Sequence, residues 1–282
     1  MLTLPYRSQH SIEVVALASG SSGNATLVRS GSIALLIDAG LGPRKLAGLL
    51  SNRGVYAGDI SAILVTHEHI DHIAGLAAAS RRNNAPVVAN TETLLACQSR
   101  IDDDFDSIEL SAGSDMEIGH LSIRSFSVPH DAVNPVGYVI SSASASVALI
   151  TDAGCVTQQM RAALHRVDLA IVEANHDIEM LRRGPYTREM KARVEGPLGH
   201  LSNDSCADLI IERLRDGGSL TVWLAHLSRV NNSPSLARRG VANRIKAGTD
   251  VPFVLDVALR DSPSTIWKSD GRTGAVQLKL LF

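Results

Sequence analysis

The sequence has few cysteines, no excess of charge of one sign and no long hydrophobic run. Its three cysteines, Cys97, Cys155 and Cys206, lie far apart and in no metal-binding spacing, which argues against a disulfide framework and for a reducing compartment. The formal net charge of −2 supplies no global positive field, so a polyanionic partner would have to bind at local basic patches. Residues 1–20 show no signal-peptide pattern and no apolar segment is long enough to span a bilayer, so we expect a cytoplasmic protein with no membrane partner.

Short apolar runs alternate with helical patterns along the chain. Runs rich in Val, Ile and Leu predict strands at residues 12–18, 25–29, 33–37, 63–65, 87–89, 116–118, 121–128, 136–140, 147–151, 169–173 and 220–225, and near residues 254 and 276. Helices are predicted at residues 43–52, 73–82, 91–97 and 156–165, within the polar stretch 175–215, and from Ser233 onward. We therefore predict an α/β fold of four layers, with two mixed β-sheets packed face to face and helices on the outer faces, in a single domain of residues 1–282.

The most informative motif follows the predicted strand that ends near Thr66, and it contains His67, His69, Asp71 and His72. Residues two apart in an extended segment point the same way, so His67 and His69 can bind one ion together. The chain then turns into a helix, where Asp71 and His72 can face a second ion. Nitrogen-rich ligands with a carboxylate suit zinc, and also manganese or iron. The zincin signature His-Glu-x-x-His is excluded because Asp71 stands at the position of its second histidine.

Three further candidate ligands, His130, Asp152 and His226, each follow a predicted apolar strand. Side chains at several strand ends can converge on one edge of a sandwich, where a cleft forms. Alone, each has an ordinary alternative: His130 and His226 as hydrogen-bonded histidines, and Asp152 as a turn or helix-capping residue. Because the first motif already supplies metal ligands, we favour the metal-binding interpretation for these three residues as well.

Together these residues resemble the ligand pattern of the metallo-β-lactamase superfamily, and the resemblance extends over nearly the whole chain. It implies that superfamily's four-layer αββα sandwich and two divalent metal ions, Zn²⁺ or Mn²⁺. It also implies two ligand sets, which are His67, His69 and His130 for one ion and Asp71, His72 and His226 for the other, with Asp152 bridging both.

Four more motifs resemble the YycJ/WalJ branch of that superfamily. They are Gly20-Ser-Ser-Gly-Asn24, Glu173-Ala-Asn-His-Asp177, Gly199-His-Leu-Ser202 and Ala225-His-Leu-Ser228. That branch is associated with phosphodiester cleavage, including 5′-to-3′ exonuclease activity on DNA, so the resemblance implies a DNA exonuclease. Cys155 departs from the branch, in which a larger residue such as Tyr is typical, and we expect it to be a buried structural thiol.

The tetrapeptide Gly-His-Leu-Ser occurs twice, and the two histidines have different contexts. His120 lies between two alternating runs, which predicts a structural hairpin turn. His200 precedes a helix start at Ser202, from which it can reach into a cleft. The resemblance implies that His200 is a general acid supported by Glu173, whereas packing or capping is the alternative. Asp71, His200 and Glu173 are thus the predicted catalytic residues.

Other polar residues are candidates for substrate contact. Ser21, Ser22 and Asn24 offer hydroxyl and amide groups, although a tight glycine turn explains their segment equally well. His176 is predicted to orient a substrate phosphate or to support a neighbouring group, with simple helix capping as the alternative.

Two basic segments accompany these motifs. The first holds Arg182, Arg183, Arg188, Lys191 and Arg193, and the second holds Arg229, Arg238, Arg239, Arg244 and Lys246. Basic residues beside a two-metal site suit a phosphate backbone, so we predict a nucleic-acid partner, DNA rather than RNA; ordinary solvated helix faces are the alternative. Tyr186 is the one aromatic residue in these stretches, which gives weak support for base stacking.

The expected reaction is metal-assisted hydrolysis of a phosphodiester. Metal binding lowers the pKa of water from ~15.7 toward ~7, so a hydroxide between the ions is expected to attack phosphorus while His200 supplies the leaving-group proton. The same fold also supports a small-molecule phosphodiesterase or a glyoxalase II-like thioesterase, which would not need His200 or the arginines. An alternative of another class is a catalytically idle, metal-bound regulator that binds nucleic acid. The oligomeric state stays open.

Overall fold

The computed structural model describes residues 11–101 and 103–270, which form two seven-stranded sheets. The strands are β1 (Glu13–Ala18), β2 (Ala25–Ser30), β3 (Ile33–Ile37), β4 (Ala62–Leu64), β5 (Val87–Ala89), β6 (Ser107–Glu109), β7 (Asp115–Ile118), β8 (Leu121–Ser127), β9 (Val136–Ser141), β10 (Ser146–Ile150), β11 (Leu169–Glu173), β12 (Leu220–Ala225), β13 (Phe253–Val257) and β14 (Ile266–Lys268). The helices are α1 (Pro43–Ser51), α2 (Ile70–Ile73), α3 (Leu76–Asn83), α4 (Thr91–Ile101), α5 (Gln158–Leu164), α6 (Ile178–Arg183), α7 (Arg188–Glu195), α8 (Asn203–Arg215) and α9 (Pro234–Gly248).

Each sheet combines an antiparallel half with a parallel half. The first sheet has the order β14-β1-β2-β3-β4-β5-β6 and becomes parallel from β3 onward. The second has the order β13-β12-β11-β10-β9-β8-β7 and is parallel from β10 to β13. The carboxyl ends of parallel strands meet at one edge of a sheet, so this topology gathers the residues that follow β3, β4, β10, β11 and β12.

Three clusters of buried apolar residues confirm the predicted four layers. The inner cluster lies between the sheets and includes Val28 and Leu35 of the first sheet with Tyr138, Ile171 and Trp223 of the second. One outer cluster packs α1, α3 and α4 against the first sheet. The other packs α5, α8 and α9 against the second sheet. The strands that carry the candidate ligands are therefore covered on both faces.

Most predicted elements are present, with local differences. The helix predicted at residues 73–82 is present as α3, which begins at Leu76, after the Gly75 amide has donated to the carbonyl of Ala39 in the neighbouring segment; the short α2 before it was not predicted. The edge strands β6 and β14 were not predicted, since β6 has a single apolar residue between Ser107 and Glu109 and β14 has only two before Lys268. The strand predicted near residue 276 lies outside the described residues. Among the described helices, none combines the length and apolar character needed to cross a membrane.

Tyr138 joins the two sheets through a single hydroxyl. Its side chain is 1% exposed, and its Oη donates a hydrogen bond of 2.7 Å to the carbonyl of Val65, just before the ligand motif. We expect Tyr138→Phe to lower the free energy of unfolding by about 1–3 kcal/mol, because the Val65 carbonyl would stay buried without its donor. Chemical denaturation followed by circular dichroism measures the change.

The matched control is Tyr56→Phe. Tyr56 is 61% exposed, so loss of its hydroxyl is expected to change the free energy of unfolding by less than about 0.5 kcal/mol. Equal effects of the two substitutions would show that the buried hydroxyl contributes nothing specific.

Candidate metal centre

The seven predicted ligands converge at one edge of the sandwich. Their nitrogen and oxygen atoms form groups in which every atom lies within 4.8 Å of the others. These groups are His67, His69 and His130; Asp71, His72 and His226; and His67, His72 and Asp152. A fourth group joins Asp152 and His226 to Glu173 and His200. The two predicted ligand sets, which were assigned to different ions, are therefore adjacent, and the atoms of each suit a metal ion.

Asp152 lies between the two sets. Its Oδ2 is 3.2 Å from Nε2 of His72, and its Oδ1 is 3.2 Å from Nδ1 of His226. On the other side, Oδ1 is 3.8 Å from Nε2 of His130. One carboxylate thus faces imidazoles of both sets, which is the position of a bridging ligand.

Four histidines share one orientation, in which Nδ1 meets a fixed oxygen atom. The pairs are His67 with Oγ1 of Thr66 at 3.0 Å, His72 with Oδ2 of Asp38 at 2.8 Å, His130 with the carbonyl of Gly199 at 3.1 Å and His226 with Oε1 of Glu173 at 2.9 Å. A proton held on Nδ1 leaves the Nε2 lone pair available for a cation. His69 differs, because its Nδ1 lies 3.1 Å from Nε2 of His67, as two ligand atoms on one ion would.

Asp38 and Thr66 belong to this arrangement and were missed by the sequence interpretation. Asp38 follows β3 directly, and its carboxylate accepts from the amide and the hydroxyl of Thr66 as well as facing His72. The pattern that identified Asp152, a carboxylate at the end of an apolar strand, applies equally to Asp38. It could have been found by the same reasoning.

Three of these residues have a backbone that side-chain-bearing residues rarely adopt. The φ angles are +58° at Asp38, +56° at Asp152 and +52° at His226. The left-handed region costs roughly 1–2 kcal/mol for such a residue. All three residues lie at strand ends around one cleft. Their backbone strain indicates that the fold tolerates an unfavourable conformation in order to direct these side chains into the cleft.

Two buried atoms at the centre make no hydrogen bond within the described residues. They are Oδ2 of Asp152, despite the nearby His72 ring, and Nε2 of His226. Leaving buried polar atoms unsatisfied costs about 1–3 kcal/mol each, and more for charged groups. A carboxylate oxygen and an imidazole nitrogen that both face one cleft are suitable ligands for a divalent cation, so the residues fit a metal.

The electrostatics favour the ligand forms of Asp152 and His67 but not of His72 and His226. Burial raises the pKa of the Asp152 carboxyl, but His226 and His72 outweigh it and hold that pKa well below 3.8. Burial and the neighbouring imidazoles, His72 first among them, hold the pKa of His67 well below 6.5. A carboxylate and a neutral imidazole are the states that bind metal.

Burial lowers the pKa of His226, but the nearby carboxylates, Asp152 first among them, raise it to about 10. Burial likewise lowers the pKa of His72, but Asp38 and Asp152 raise it well above 6.5, so a metal bound there would displace protons.

His200 forms a pair with Glu173 at the side of the cluster. Its Nδ1 lies 2.8 Å from Oε1 of Glu173, and its ring centroid is 5.1 Å from that of His130. Burial alone would lower the pKa of His200, but the Glu173 carboxylate raises it above 6.5. The pKa of Glu173 is lowered to about 2, since His200 and His226 outweigh its burial. The pair therefore favours the protonated form of His200.

The position of His200 follows from the helix that comes after it. Ser202 caps α8 by accepting from the amide of Ser205, as the sequence predicted. The amide of Leu201 donates to Oε2 of Glu173 at 3.2 Å. Backbone and side-chain bonds thus orient His200 together, while 23% of its side chain stays exposed to the cleft.

The predicted substrate-contact residues have different environments. Asn24 is buried, and its Nδ2 lies 3.0 Å from Nε2 of His72 and 3.3 Å from the carbonyl of Asp71, so it anchors the 20–24 loop to the second set. Ser21 and Ser22 are the exposed tip of that loop, and their contact with substrate stays a prediction. His176 is 2% exposed and borders the start of α8, which removes it from solvent.

Two structural expectations have clear outcomes. His120 lies in the turn between β7 and β8, as predicted, with Nε2 2.7 Å from Oγ of Ser30. The expectation that Cys155 is buried was wrong, because it is exposed. The chain turns sharply at Asp152 to direct that carboxylate inward, and Cys155 follows on the outside of the turn.

The two basic segments are partly neutralised by acidic neighbours. Ion pairs join Arg182 to Glu195, Arg183 to Glu179, Arg193 to Asp131 and Arg244 to Asp208. Arg238 and Lys246 line a separate cavity beside β13 whose lining includes none of the predicted ligands. Arg229, three residues after His226, is exposed and has no ion-pair partner within residues 11–101 and 103–270. Charge near the centre is therefore less abundant than the sequence indicates.

Comparisons with known proteins agree with this geometry. A family model described as "Beta-lactamase superfamily domain" matches residues 34–221. A Streptococcus pneumoniae protein named "Exodeoxyribonuclease WalJ" is 37% identical over 257 residues, or 88% of this chain and 94% of that protein. The Bacillus anthracis "Exodeoxyribonuclease YycJ" is 37% identical over 228 residues, or 80% and 86%. The fold resembles the metallo-beta-lactamase fold protein YhfI from Bacillus subtilis, with a TM-score of 0.68 at 15% identity over 92% of this chain and 99% of that one.

Gly40 provides a test of the ligand geometry. A Cβ atom there would lie 1.6 Å from the Asp71 carbonyl oxygen and 2.8 Å from the Asn24 amide nitrogen. We expect Gly40→Ala to displace the Asp71 segment, to lower the metal content per chain and to destabilise the fold by at least about 1–3 kcal/mol. Plasma mass spectrometry of the metal-reconstituted protein and thermal unfolding measure the two effects.

Gly42→Ala is the matched control, since its Cβ would meet nothing within 4 Å and its φ of −53° suits alanine. Full metal content in Gly40→Ala would contradict the tight contact between this glycine and the ligand segment.

Proposed function

Since this chain belongs to the β-lactamase superfamily of metallo-hydrolases, we propose that it is a di-metal phosphodiesterase that degrades DNA as a 5′-to-3′ exonuclease. The observation that carries the proposal is the pair of ligand sets joined at Asp152, with the His200–Glu173 pair beside them. The relatives named exodeoxyribonuclease, at 37% identity over most of the chain, supply the substrate class.

We assign two Zn²⁺ or Mn²⁺ ions to the centre. His67, His69 and His130 would hold one ion, and Asp71, His72 and His226 would hold the other, with Asp152 between them. The first set offers three nitrogen atoms and the second two nitrogen atoms and a carboxylate, a donor set that suits zinc and also manganese. The bound ions would lower the pKa of water and neutralise charge on the phosphoryl oxygens.

The chain's own residues supply orientation and a proton. Asp38, Thr66, Glu173 and the Gly199 carbonyl fix the imidazoles so that substrate binding needs no rearrangement of ligands. His200, whose protonated form Glu173 favours, would donate its Nε2 proton to the leaving deoxyribose oxygen. Asp71 contributes to the catalytic centre as a ligand of the second set.

The alternatives lack a specific supporting observation. A thioesterase would not need the proton on His200, because a thiolate leaves without one. An idle regulator would be expected to have lost ligands, whereas all seven predicted ligand residues stand together.

The central test is nuclease activity. Protein reconstituted with Zn²⁺ or Mn²⁺ is incubated with 5′- and 3′-labelled single strands and duplexes of DNA and RNA. We expect metal-dependent release of nucleotides from DNA 5′ ends, and we expect Asp152→Asn to reduce it to background, because Asp152 contacts both sets. Asparagine is chosen since it tolerates the φ of +56°.

The control is Asp115→Asn, which removes an exposed ion pair with Arg124. No cleavage of any nucleic acid by the metal-loaded wild type would refute the nuclease proposal.

The role of His200 is tested through the leaving group. We expect His200→Ala to slow DNA cleavage by about 10²–10⁴-fold, because the deoxyribose oxygen needs a proton to leave. Cleavage of bis(p-nitrophenyl) phosphate should fall far less, since nitrophenolate leaves unprotonated. His120→Ala, in the other Gly-His-Leu-Ser copy, is the matched control. An equal loss on both substrates would assign His200 a structural role.

A further inference from the structure

Arg260 lies beside the candidate centre, although neither basic segment of the sequence includes it. Its Nη2 donates a hydrogen bond to the carbonyl of Leu227, the residue after His226. Its Nη1 would be 3.0 Å from a Cβ on Gly20, whose φ is +143°. Gly20 in turn donates to Oδ1 of Asn24 at 2.8 Å, and Asn24 contacts His72. The guanidinium therefore spans two segments that border the second ligand set.

Most of the hydrogen-bonding capacity of Arg260 is unused. A guanidinium has five N–H donors, and the described residues offer this one a single backbone carbonyl and no carboxylate. The adjacent Asp261 is directed to Lys45, with 3.3 Å between Oδ1 and Nζ. A half-buried guanidinium that forms no ion pair within the described residues would be stabilised by an anion that joins it.

Two further donors lie near Arg260. Arg229 comes two residues after Leu227, the acceptor of the Arg260 hydrogen bond. Tyr186 comes two residues after Gly184, where a Cβ atom would lie 2.8 Å from Oδ1 of Asn231 in the segment that follows Arg229. Burial lowers the pKa of the Arg260 guanidinium, as does the like charge of Arg229, whereas Asp261 and Tyr186 raise it. The three side chains come from different segments: Tyr186 from the turn between α6 and α7, Arg229 from the chain after β12, and Arg260 from the chain after β13. Arg182 and Arg193 of the basic segments, by contrast, have carboxylate partners.

We propose that Arg260, together with Arg229 and Tyr186, forms a phosphate-binding subsite beside the second ligand set, which holds a DNA phosphate near the one being cleaved. The planar fork of arginine matches phosphate oxygens in a bidentate manner, and a phosphate would relieve the repulsion between the two guanidinium groups. Gly20, with its φ of +143°, leaves room for the guanidinium, which a Cβ atom there would approach to 3.0–3.3 Å. This inference rests on the proposed nuclease function.

The phosphate has two sources with the same chemistry, a terminal 5′-phosphate or an internal phosphodiester. Both present anionic oxygens to the fork, and substrates that differ only in the 5′ group distinguish them. The terminal source would make the subsite a selector of phosphorylated ends. The internal source would make it a guide for the strand.

The experiment compares Arg260→Gln and Arg260→Lys in metal-loaded, full-length protein. Glutamine keeps an N–H donor for Leu227 but loses the charge and the fork, and lysine keeps the charge and N–H donors but loses the fork. Arg215→Gln is the matched control, because Arg215 also donates to a backbone carbonyl, that of Gly248, at the far end of α8. Single-stranded DNA with a 5′-phosphate or a 5′-hydroxyl is the substrate over a series of NaCl concentrations.

For Arg260→Gln we expect KM to rise about 10-fold while kcat changes less than about 2-fold, since the lost contact is charged but remote from the reacting bond. The salt dependence should weaken by about 0.7 in its logarithmic slope, the value for one phosphate contact on a single strand. Arg260→Lys should have an intermediate KM, and Arg215→Gln should match the wild type. Hydrolysis of bis(p-nitrophenyl) phosphate, which has a single phosphate, and metal content should not change.

The possible outcomes distinguish failure of the phosphate subsite from failure of the proposed nuclease function. An effect restricted to 5′-phosphorylated DNA supports the terminal source, and an equal effect on both substrates supports the internal one. Unchanged KM and salt slope in Arg260→Gln, with active wild type, would overturn the subsite and leave the nuclease function intact. Loss of metal, or equal loss on bis(p-nitrophenyl) phosphate, would also overturn it by showing a structural role. Inactive wild type on all DNA would refute the function itself.

Discussion

The buried Asp152 carboxylate is the constraint on which the centre depends. A charged group away from water is tolerated only when cations or hydrogen bonds compensate for its lost hydration. Here imidazoles of both ligand sets surround it, and one of its oxygens still has no hydrogen-bond partner within the described residues. A bound metal ion would complete the compensation with positive charge. Asp152 and His226 adopt left-handed backbone conformations, and the arrangement tolerates their unfavourable conformational energy.

Around that carboxylate, a ring of acceptors decides the chemistry of each histidine. Asp38, Thr66, Glu173 and the Gly199 carbonyl occupy the Nδ1 side, so Nε2 of His67, His72, His130 and His226 faces the centre. Glu173 has two functions, since the same oxygen Oε1 meets both His200 and His226. It therefore couples the orientation of a metal ligand to the protonation of the candidate acid.

Much of the fold and the ligand set could be predicted because both depend on local rules. Apolar runs located the central strands, including the three-residue β4 and β5, whereas the edge strands β6 and β14 contain polar residues that interrupt such a run. His67 and His69 were identified from the alternation of an extended segment, and His130, Asp152 and His226 from their positions after strands. Asp38 has the same position and was overlooked, so that omission was not a limit of the sequence.

The basic residues could not be assigned in this way. Sequence proximity to His200 indicated that Arg182 and Arg193 would be available to substrate, but acidic side chains from other segments pair with both. Arg260, far from either basic segment in sequence, lies instead against Gly20 and Leu227. Whether a charge is available depends on neighbours brought close by folding, and spacing along the chain does not encode them.

The sequence by itself determined which strands form and which residues stand at their ends, because strand periodicity and strand termination are properties of a few consecutive residues. The tertiary structure alone decided that Asp152 faces both ligand sets, which ring nitrogen each histidine presents, and which cations are without counter-ions. Each of these features depends on contacts between residues that are far apart in the chain. The pairing of parallel strands and the packing of the two sheets bring those residues together.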